Sequence, residues 1–406
     1  MKKPELLMPA GSPEVLKTVI AYGADAVYLG GEALSLRSMA KNFTVPEIRE
    51  AIRYAHERDV KVYLTMNIFA HNDDLRAALK FLLQTMQYQP DALIISDPGV
   101  FTIAKSLCPQ IPVHISTQAN NTNYATYLFW KDQGVRRAVA SRELTLPELA
   151  EIKSQIGDEM ELEAFVHGAM CVSYSGRCLL SSYLTGRKAN AGSCTHPCRW
   201  KYYLVEETRP GEYMPVEEDD RGTYLYNAKD LCMIEHIPDL IDAGVDSLKV
   251  EGRMKNALYA ATVARAYRAA IDDYAEDSEK YFRKLPWYRE EVGKCTTRPF
   301  CTGFYYGAPG EEGQSTEGSS YNREYVYLGV VECGEDRPYL LQKNKFSVGE
   351  SVEIMRPNGS NIPAVVKGLW NAEGEPVESA PHAGEKIYPD LGMELAPFDV
   401  LRRFDG

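Results

Sequence analysis

The sequence has no long apolar run. No window approaches the roughly 18–20 consecutive apolar residues that span a bilayer, so no helical membrane span is expected. The opening MKKPELLMPAGSPE carries two lysines but no apolar core or cleavage site behind them, unlike a secretory leader. Positive charge is also short: 45 Lys and Arg face 57 Asp and Glu, a net charge of −12. That balance excludes a protein that coats nucleic acid through its overall field, though not one with a local basic patch. There is no internal repeat or low-complexity tract, and no Ser-His-Asp, HExxH or paired-aspartate pattern stands out. A cytoplasmic enzyme is the expectation. In that reducing compartment, clustered cysteines read as metal ligands or nucleophiles before disulfides.

The chain's 406 residues, 45% of them hydrophobic, exceed one average domain. Over residues 1–275, short apolar runs alternate with amphipathic helical windows. The runs ELLMPAG, ADAVYLGG, VKVYLTMNI, DALIISD, PVHIST, RRAVAS, ELEAFVHG and DSLKVEG predict eight strands. Strand-then-helix units with crossovers long enough for parallel pairing predict an α/β fold, a TIM-type (β/α)8 barrel. The longest connection, from the seventh strand to the eighth, is an insertion over 167–222. Residues 276–323 are rich in Gly, Tyr and charge and read as an irregular connector. Residues 324–406, with short alternating runs split by turns, read as a small all-β, barrel-like domain.

Chemistry in such a barrel sits on the loops after the strands. The residues there are Asn67, Asp97, Ser116, Gln118, Arg142, Glu143, His167, Lys249, Glu251 and Arg253, with Arg37 and His71 on the same face. The set suits a small polar anion. Arg37, Arg142, Lys249, Glu251 and Arg253 would form the binding group, Asn67 and Gln118 would orient, and His167 would move a proton. The plainer reading makes several of these helix caps or mutual pairs such as Arg142 with Glu143.

Four of the nine cysteines fall between His167 and Trp200: Cys171, Cys178, Cys194 and Cys198, separated by six, fifteen and three residues. Only the last pair has the spacing of a zinc knuckle. A catalytic thiolate beside His167 or His196 would leave three cysteines unexplained. Four thiolates match the ligand count of a 4Fe–4S cluster, so the spacing keeps iron–sulfur, zinc and nucleophile open in that order. Arg177, Arg187, Lys188, Arg199 and Lys201 lie within 25 residues, with no acidic residue between Cys171 and Tyr203. They either balance an anionic centre or meet a polyanion.

The segment ELEAFVHGAMCVSYSGRCLLSSYLTGR resembles the signature of peptidase family U32. PELLMPAG, YGADAVYLGG, HISTQAN and SLKVEGRMK are similar to further blocks of that family, in order and over nearly the whole chain. The resemblance implies hydroxylases that work without oxygen and carry a 4Fe–4S cluster on family cysteines. One branch makes 5-hydroxyuridine at the tRNA wobble position with prephenate as hydroxyl donor; others act on ribosomal RNA or on a quinone ring. GSCTHPCRW, followed by a β domain with KNKFSVGESVEIMRPNG, is most similar to the tRNA branch. The implied ligands are Cys171, Cys178, Cys194 and Cys198, with Cys232 in KDLCMIE as the alternative fourth.

On this reading prephenate, a dicarboxylate, binds at the arginines of the mouth. The tRNA anticodon loop meets Arg187, Lys188, Arg199 and Lys201, and Tyr174 or Tyr183 stacks on the base. A homo-oligomer or a paired family member is the expected assembly. The competing classes are a collagenase-like U32 hydrolase, which needs a nucleophile or a different metal, and a binding protein without turnover.

Overall fold

The structure is a computed structural model. It describes residues 2–31, 42–171, 178–187, 194–195, 197–199, 203–204, 214–215, 229–309, 313, 324–334, 337–357 and 359–405. Arg37, Tyr174, Lys188, His196 and Lys201 lie outside the described residues, as does the side chain of Arg199.

All eight expected strands form. They are β1 (Glu5–Pro9), β2 (Ala26–Gly30), β3 (Lys61–Met66), β4 (Ala92–Ile95), β5 (Val113–Ile115), β6 (Arg137–Val139), β7 (Glu161–Ala169) and, after a short strand β8 (Asp230–Cys232), β9 (Ser247–Val250). Neighbours in sequence pair in parallel from β1 to β7. β9 then pairs in parallel with both β7 and β1, Ser247 opposite Glu163 on one side and Glu5 on the other, which closes the barrel. The strands are buried almost throughout, as parallel strands with both faces covered must be.

The intervening helices begin where their sequences say they should. Thr44 and Glu47 form a reciprocal capping box on α2 (Val45–His56), and Thr145 and Glu148 do the same on α6 (Leu146–Ile156). Inside the barrel, Leu7, Ala26, Tyr28, Tyr63, Ala92 and Ile94 form one apolar cluster.

Beside that cluster lies a buried charge network that the sequence reading did not foresee. The Arg137 guanidinium donates to Glu5 at 2.5 Å, Glu161 at 2.6 Å and Glu163 at 3.2 Å. Lys249 donates to the other oxygen of Glu163 at 2.6 Å. Tyr63 and Ser247 donate to Glu5 at 2.8 and 3.1 Å. Burial alone would raise the Glu5 carboxyl, but Arg137, Lys61 and the Tyr63 hydroxyl outweigh it and hold it at about 2 instead of the ordinary 4.5.

The C-terminal part is a seven-stranded antiparallel sheet. In spatial order its strands are Asn361–Val365, Ser351–Met355, Val400–Phe404, Tyr325–Glu332, Tyr339–Gln342, Lys386–Asp390 and Gly368–Trp370. By contacts this sheet belongs to a second unit made of 14–24, 255–297 and 322–406, while 1–13, 25–254 and 298–321 form the first. Residues 278–293, read above as irregular, instead form a helix, Ser278–Gly293. Its buried positions are Tyr281, Tyr288, Glu291 and Val292, so the inward stripe looked polar in sequence. Glu291 is accommodated there because Arg265 and Arg402 both pair with it.

Removing one member of a buried ion network strands its partners and costs about 3–5 kcal/mol. Arg137→Met is therefore expected to lower unfolding free energy by that amount in a urea titration. Because the folded-state acidity of Glu5 is increased, its contribution is complete above pH 4.5 and is lost as pH falls from 4.5 towards about 2. Glu5→Gln should flatten the dependence of stability on pH in that window.

Candidate active site at the mouth of the barrel

Two glycines let the rim loops close on one another. A Cβ at Gly11, after β1, would lie 1.9 Å from the Arg253 carbonyl oxygen. One at Gly168, in β7, would lie 2.5 Å from the Glu251 carbonyl oxygen, and Gly168 also has a φ of 107°. The loop after β9 is thus held between those after β1 and β7. Tyr28 fastens it further by donating to the Val250 carbonyl at 2.9 Å and to Glu251 at 3.4 Å.

The charged residues expected at the mouth are largely engaged. Arg142 donates to the Ala169 carbonyl at 2.5 Å, lies 3.9 Å over the Phe165 ring and sits 3.9 Å from Glu251. Its ion-pair partner is therefore Glu251 and not the adjacent Glu143. Arg253 is buried and donates to Thr65 at 2.9 Å. Lys249 does not stand at the rim. It points into the barrel, paired with Glu163 and 4.6 Å from the Tyr28 ring centroid. Asp97 caps α4 (Pro98–Leu107) by accepting from the Val100 amide, and the exposed His71 precedes α3 (Asn72–Thr85) as its cap. Burial raises the Glu143 carboxyl above its ordinary value, against the opposing pull of its own and the Arg142 backbone amides and the Arg142 charge.

The neutral residues group more tightly. The Asn67 amide donates to the Ser116 hydroxyl at 3.3 Å, and the Gln118 backbone amide donates to the same oxygen at 3.4 Å. His167 is 1% exposed, with its ring 5.4 Å from that of Phe300. Its backbone carbonyl accepts from Glu251. Asn121 and Ser141 are buried nearby and Asn120 half-buried, and none of the three was foreseen from the sequence. For the two asparagines the signal was present in STQANN, a run rich in short polar and amide side chains directly after the fifth strand.

The cysteine segment leaves the barrel from the end of β7. Cys171 is exposed, and Cys178, Cys194, Cys198 and Cys232 are partly so, whereas Cys108 and Cys295 are buried. Helix α7 (Leu180–Thr185) follows Cys178, and its Ser181 hydroxyl accepts from the Thr195 amide at 3.1 Å, next to Cys194. Cys232 lies on β8, antiparallel to the end of β7 and directly opposite His167. Among the described residues no three His, Cys, Asp or Glu side chains form a group able to hold a metal ion, and much of the chain joining these thiols lies outside the described residues. Arg187 is half-buried, and Tyr183 is 82% exposed on α7.

The model of peptidase family U32 matches residues 11–315, and that of its C-terminal domain matches 323–402. The chain belongs to peptidase family U32. Among its U32 relatives, "tRNA hydroxylation protein P1" of Bacillus subtilis is 38% identical over 99% of this chain and 95% of that protein. "tRNA hydroxylation protein P" of Escherichia coli is 38% identical over 100% of this chain and 98% of its own. A protein named "Collagenase" from Porphyromonas gingivalis is 30% identical over 99% and 98%. Among the described residues no helix is long and apolar enough to cross a membrane.

Gly11→Ala tests the closure of this U32 mouth. The new Cβ must displace the Arg253 backbone, and such overpacking costs about 1–3 kcal/mol. Lower unfolding free energy together with reduced activity is expected, with Arg253→Lys leaving the loop path intact as the control.

Proposed function

We propose that this U32 chain is an oxygen-independent tRNA hydroxylase that makes 5-hydroxyuridine at the wobble position, with prephenate as hydroxyl donor. The observation that carries this reading is the match of two proteins named for tRNA hydroxylation along essentially the whole chain, barrel and C-terminal domain alike. The mouth agrees with it in kind. A rim built from amides, a hydroxyl and buried guanidinium groups suits a polar ring and a carboxylate-bearing donor better than an apolar substrate. A wobble base is unpaired and can be turned out of its loop at little cost.

A 4Fe–4S cluster on Cys171, Cys178, Cys194 and Cys198, or with Cys232 as the fourth ligand, belongs to the same proposal. It is supported by the number and partial exposure of the thiols. Arg187, Lys188, Arg199 and Lys201 would contact tRNA phosphates, and Tyr183 offers an exposed ring for stacking. Peptide hydrolysis is the second reading, favoured by the collagenase-named relative.

The test is complementation of a bacterium stripped of its own U32 tRNA hydroxylation proteins, read by mass spectrometry of tRNA nucleosides. Return of 5-hydroxyuridine-derived nucleosides is expected. About four irons and matching sulfide per chain after anaerobic purification should accompany it. Cys171→Ala is expected to abolish both, and comparison of Cys198→Ala with Cys232→Ala identifies the fourth ligand. Unchanged tRNA together with cleavage of a collagen peptide would establish the hydrolase instead.

A further inference from the structure

Building on the reading of the chain as a tRNA hydroxylase, we infer that the sector of the mouth after β3, β5 and β6 is a subsite for the N–H-bearing edge of a pyrimidine. Asn67, Gln118 and Asn120 form its acceptor side, and Asn121, Ser141 and Arg142 stand with them. The Asn67 side-chain amide and the Gln118 backbone amide come from different loops yet donate to one oxygen, the Ser116 hydroxyl, at 3.3 and 3.4 Å. The loop after β5 makes a single tight turn over Thr117–Ala119 and ends at Asn120, which adopts a left-handed conformation with φ 53° and ψ 55°. Asn tolerates that region where most residues would be strained. The Ser141 amide then donates to the Asn121 carbonyl at 3.4 Å, joining this loop to the one after β6.

The polar atoms this arrangement leaves over are what point to a ligand. Among the described residues, the side-chain carbonyl oxygens of Asn67, Gln118 and Asn120 are buried and have no hydrogen-bond partner. The same holds for Asn121 Nδ2, Ser141 Oγ and Arg142 Nε. Asn121 is 0%, Ser141 3% and Arg142 8% exposed, while Asn67, Gln118 and Asn120 are half-buried. A buried polar atom left unpaired costs about 1–3 kcal/mol, so six concentrated on adjoining loops are a large cost for a fold to carry with no return in function. The Asn121 amide has a defined orientation. Trp130 can only donate, and it donates to Asn121 Oδ1 at 3.0 Å, which makes the Asn121 nitrogen the open end.

The balance of donors and acceptors selects the chemistry. Three open carbonyl oxygens would repel a carboxylate or phosphate, which only accepts. They require a ligand that donates, while Asn121 Nδ2 and Arg142 Nε require one that also accepts. A uridine does both: its single N3–H donates to one of these oxygens and its ribose hydroxyls can donate to the others, while the two ring carbonyls accept. This sector reads the base.

The experiment uses the full-length protein and two RNA hairpins that differ at one loop nucleotide, uridine in one and N3-methyluridine in the other. Salt is raised enough to suppress phosphate-only binding. Methylation removes the N–H donor, so about tenfold weaker binding is expected, the size of one hydrogen bond lost to a buried partner. Whichever of Asn67→Ala and Gln118→Ala removes the acceptor of that N–H should bind the two hairpins about equally. The wild-type comparison needs no variant to fold. Equal affinities for the two hairpins, from a wild-type protein that restores the hydroxylated nucleosides in cells, would overturn this inference and leave the functional reading standing. A wild-type protein that neither restores the nucleosides nor binds either hairpin would remove both.

Discussion

The barrel depends on the ion network that joins its first and last strands. Glu5 on β1, Arg137 on β6, Glu163 on β7 and Lys249 on β9 share hydrogen bonds across the seam where the sheet closes. Backbone pairing alone fixes register weakly between short strands, and β6 has three residues and β9 four. A side chain that must meet two partners at once fixes it firmly, because a slip of one residue turns the charge to the other face. The network extends upward through Phe165. Its ring has Lys249 at 5.4 Å and Arg142 at 3.9 Å, so a cation paired inside the barrel and one at its rim share one aromatic. The position of Arg142, and with it the contacts to Ala169 and Glu251, is therefore set from below.

Much of this was legible in the chain. Eight short apolar runs in a fixed order are a strong signal, and each of the eight became a strand. The charges inside those runs were harder to place. Lys249, in the middle of DSLKVEG, looks like a rim residue, but the period of two along a strand puts Ser247 and Lys249 on one face, and that face is the interior. Arg137 and Glu163 are equally ordinary in sequence, since only the closed barrel brings them together. Asp97 was read among site residues, yet an Asp before Pro at a helix start is first a cap. The helix at Ser278–Gly293 was missed for the same reason as the network: Glu291 occupies a buried position that an apolar pattern would have filled.

The five candidate thiols are not held alike. Cys232 is carried by β8, whose backbone is paired with β7 on one side and with Phe300–Cys301 on the other. Cys171, Cys178, Cys194 and Cys198 belong to the excursion that leaves β7, tied locally by bonds such as that of Thr195 to Ser181. A metal centre bridging both sets would join a rigid strand to a long loop. Ligation would contribute its own energy to that link. Ligand choice between Cys198 and Cys232 is on this view a choice of where the loop is anchored. Cys232, opposite His167, would anchor it to the barrel wall.

The second unit uses the same device without a barrel. Glu291 receives Arg265 at 2.5 Å and Arg402 at 3.0 Å, and is held at about 2 although burial alone would raise it. Arg402 also pairs with Glu353 on the neighbouring strand. These groups come from a helix at Ala257–Glu276, the helix at Ser278–Gly293 and the C-terminal sheet. The family's division of the chain between 315 and 323 therefore differs from its division by contacts, which assigns 14–24 and 255–297 to the sheet. Residues 323–402 by themselves retain the pairing of Arg402 with Glu353 but not with Glu291. Because the chain enters the second unit three times, neither unit is a contiguous segment, and the charge balance of the sheet is completed by residues that precede it in sequence by more than thirty positions.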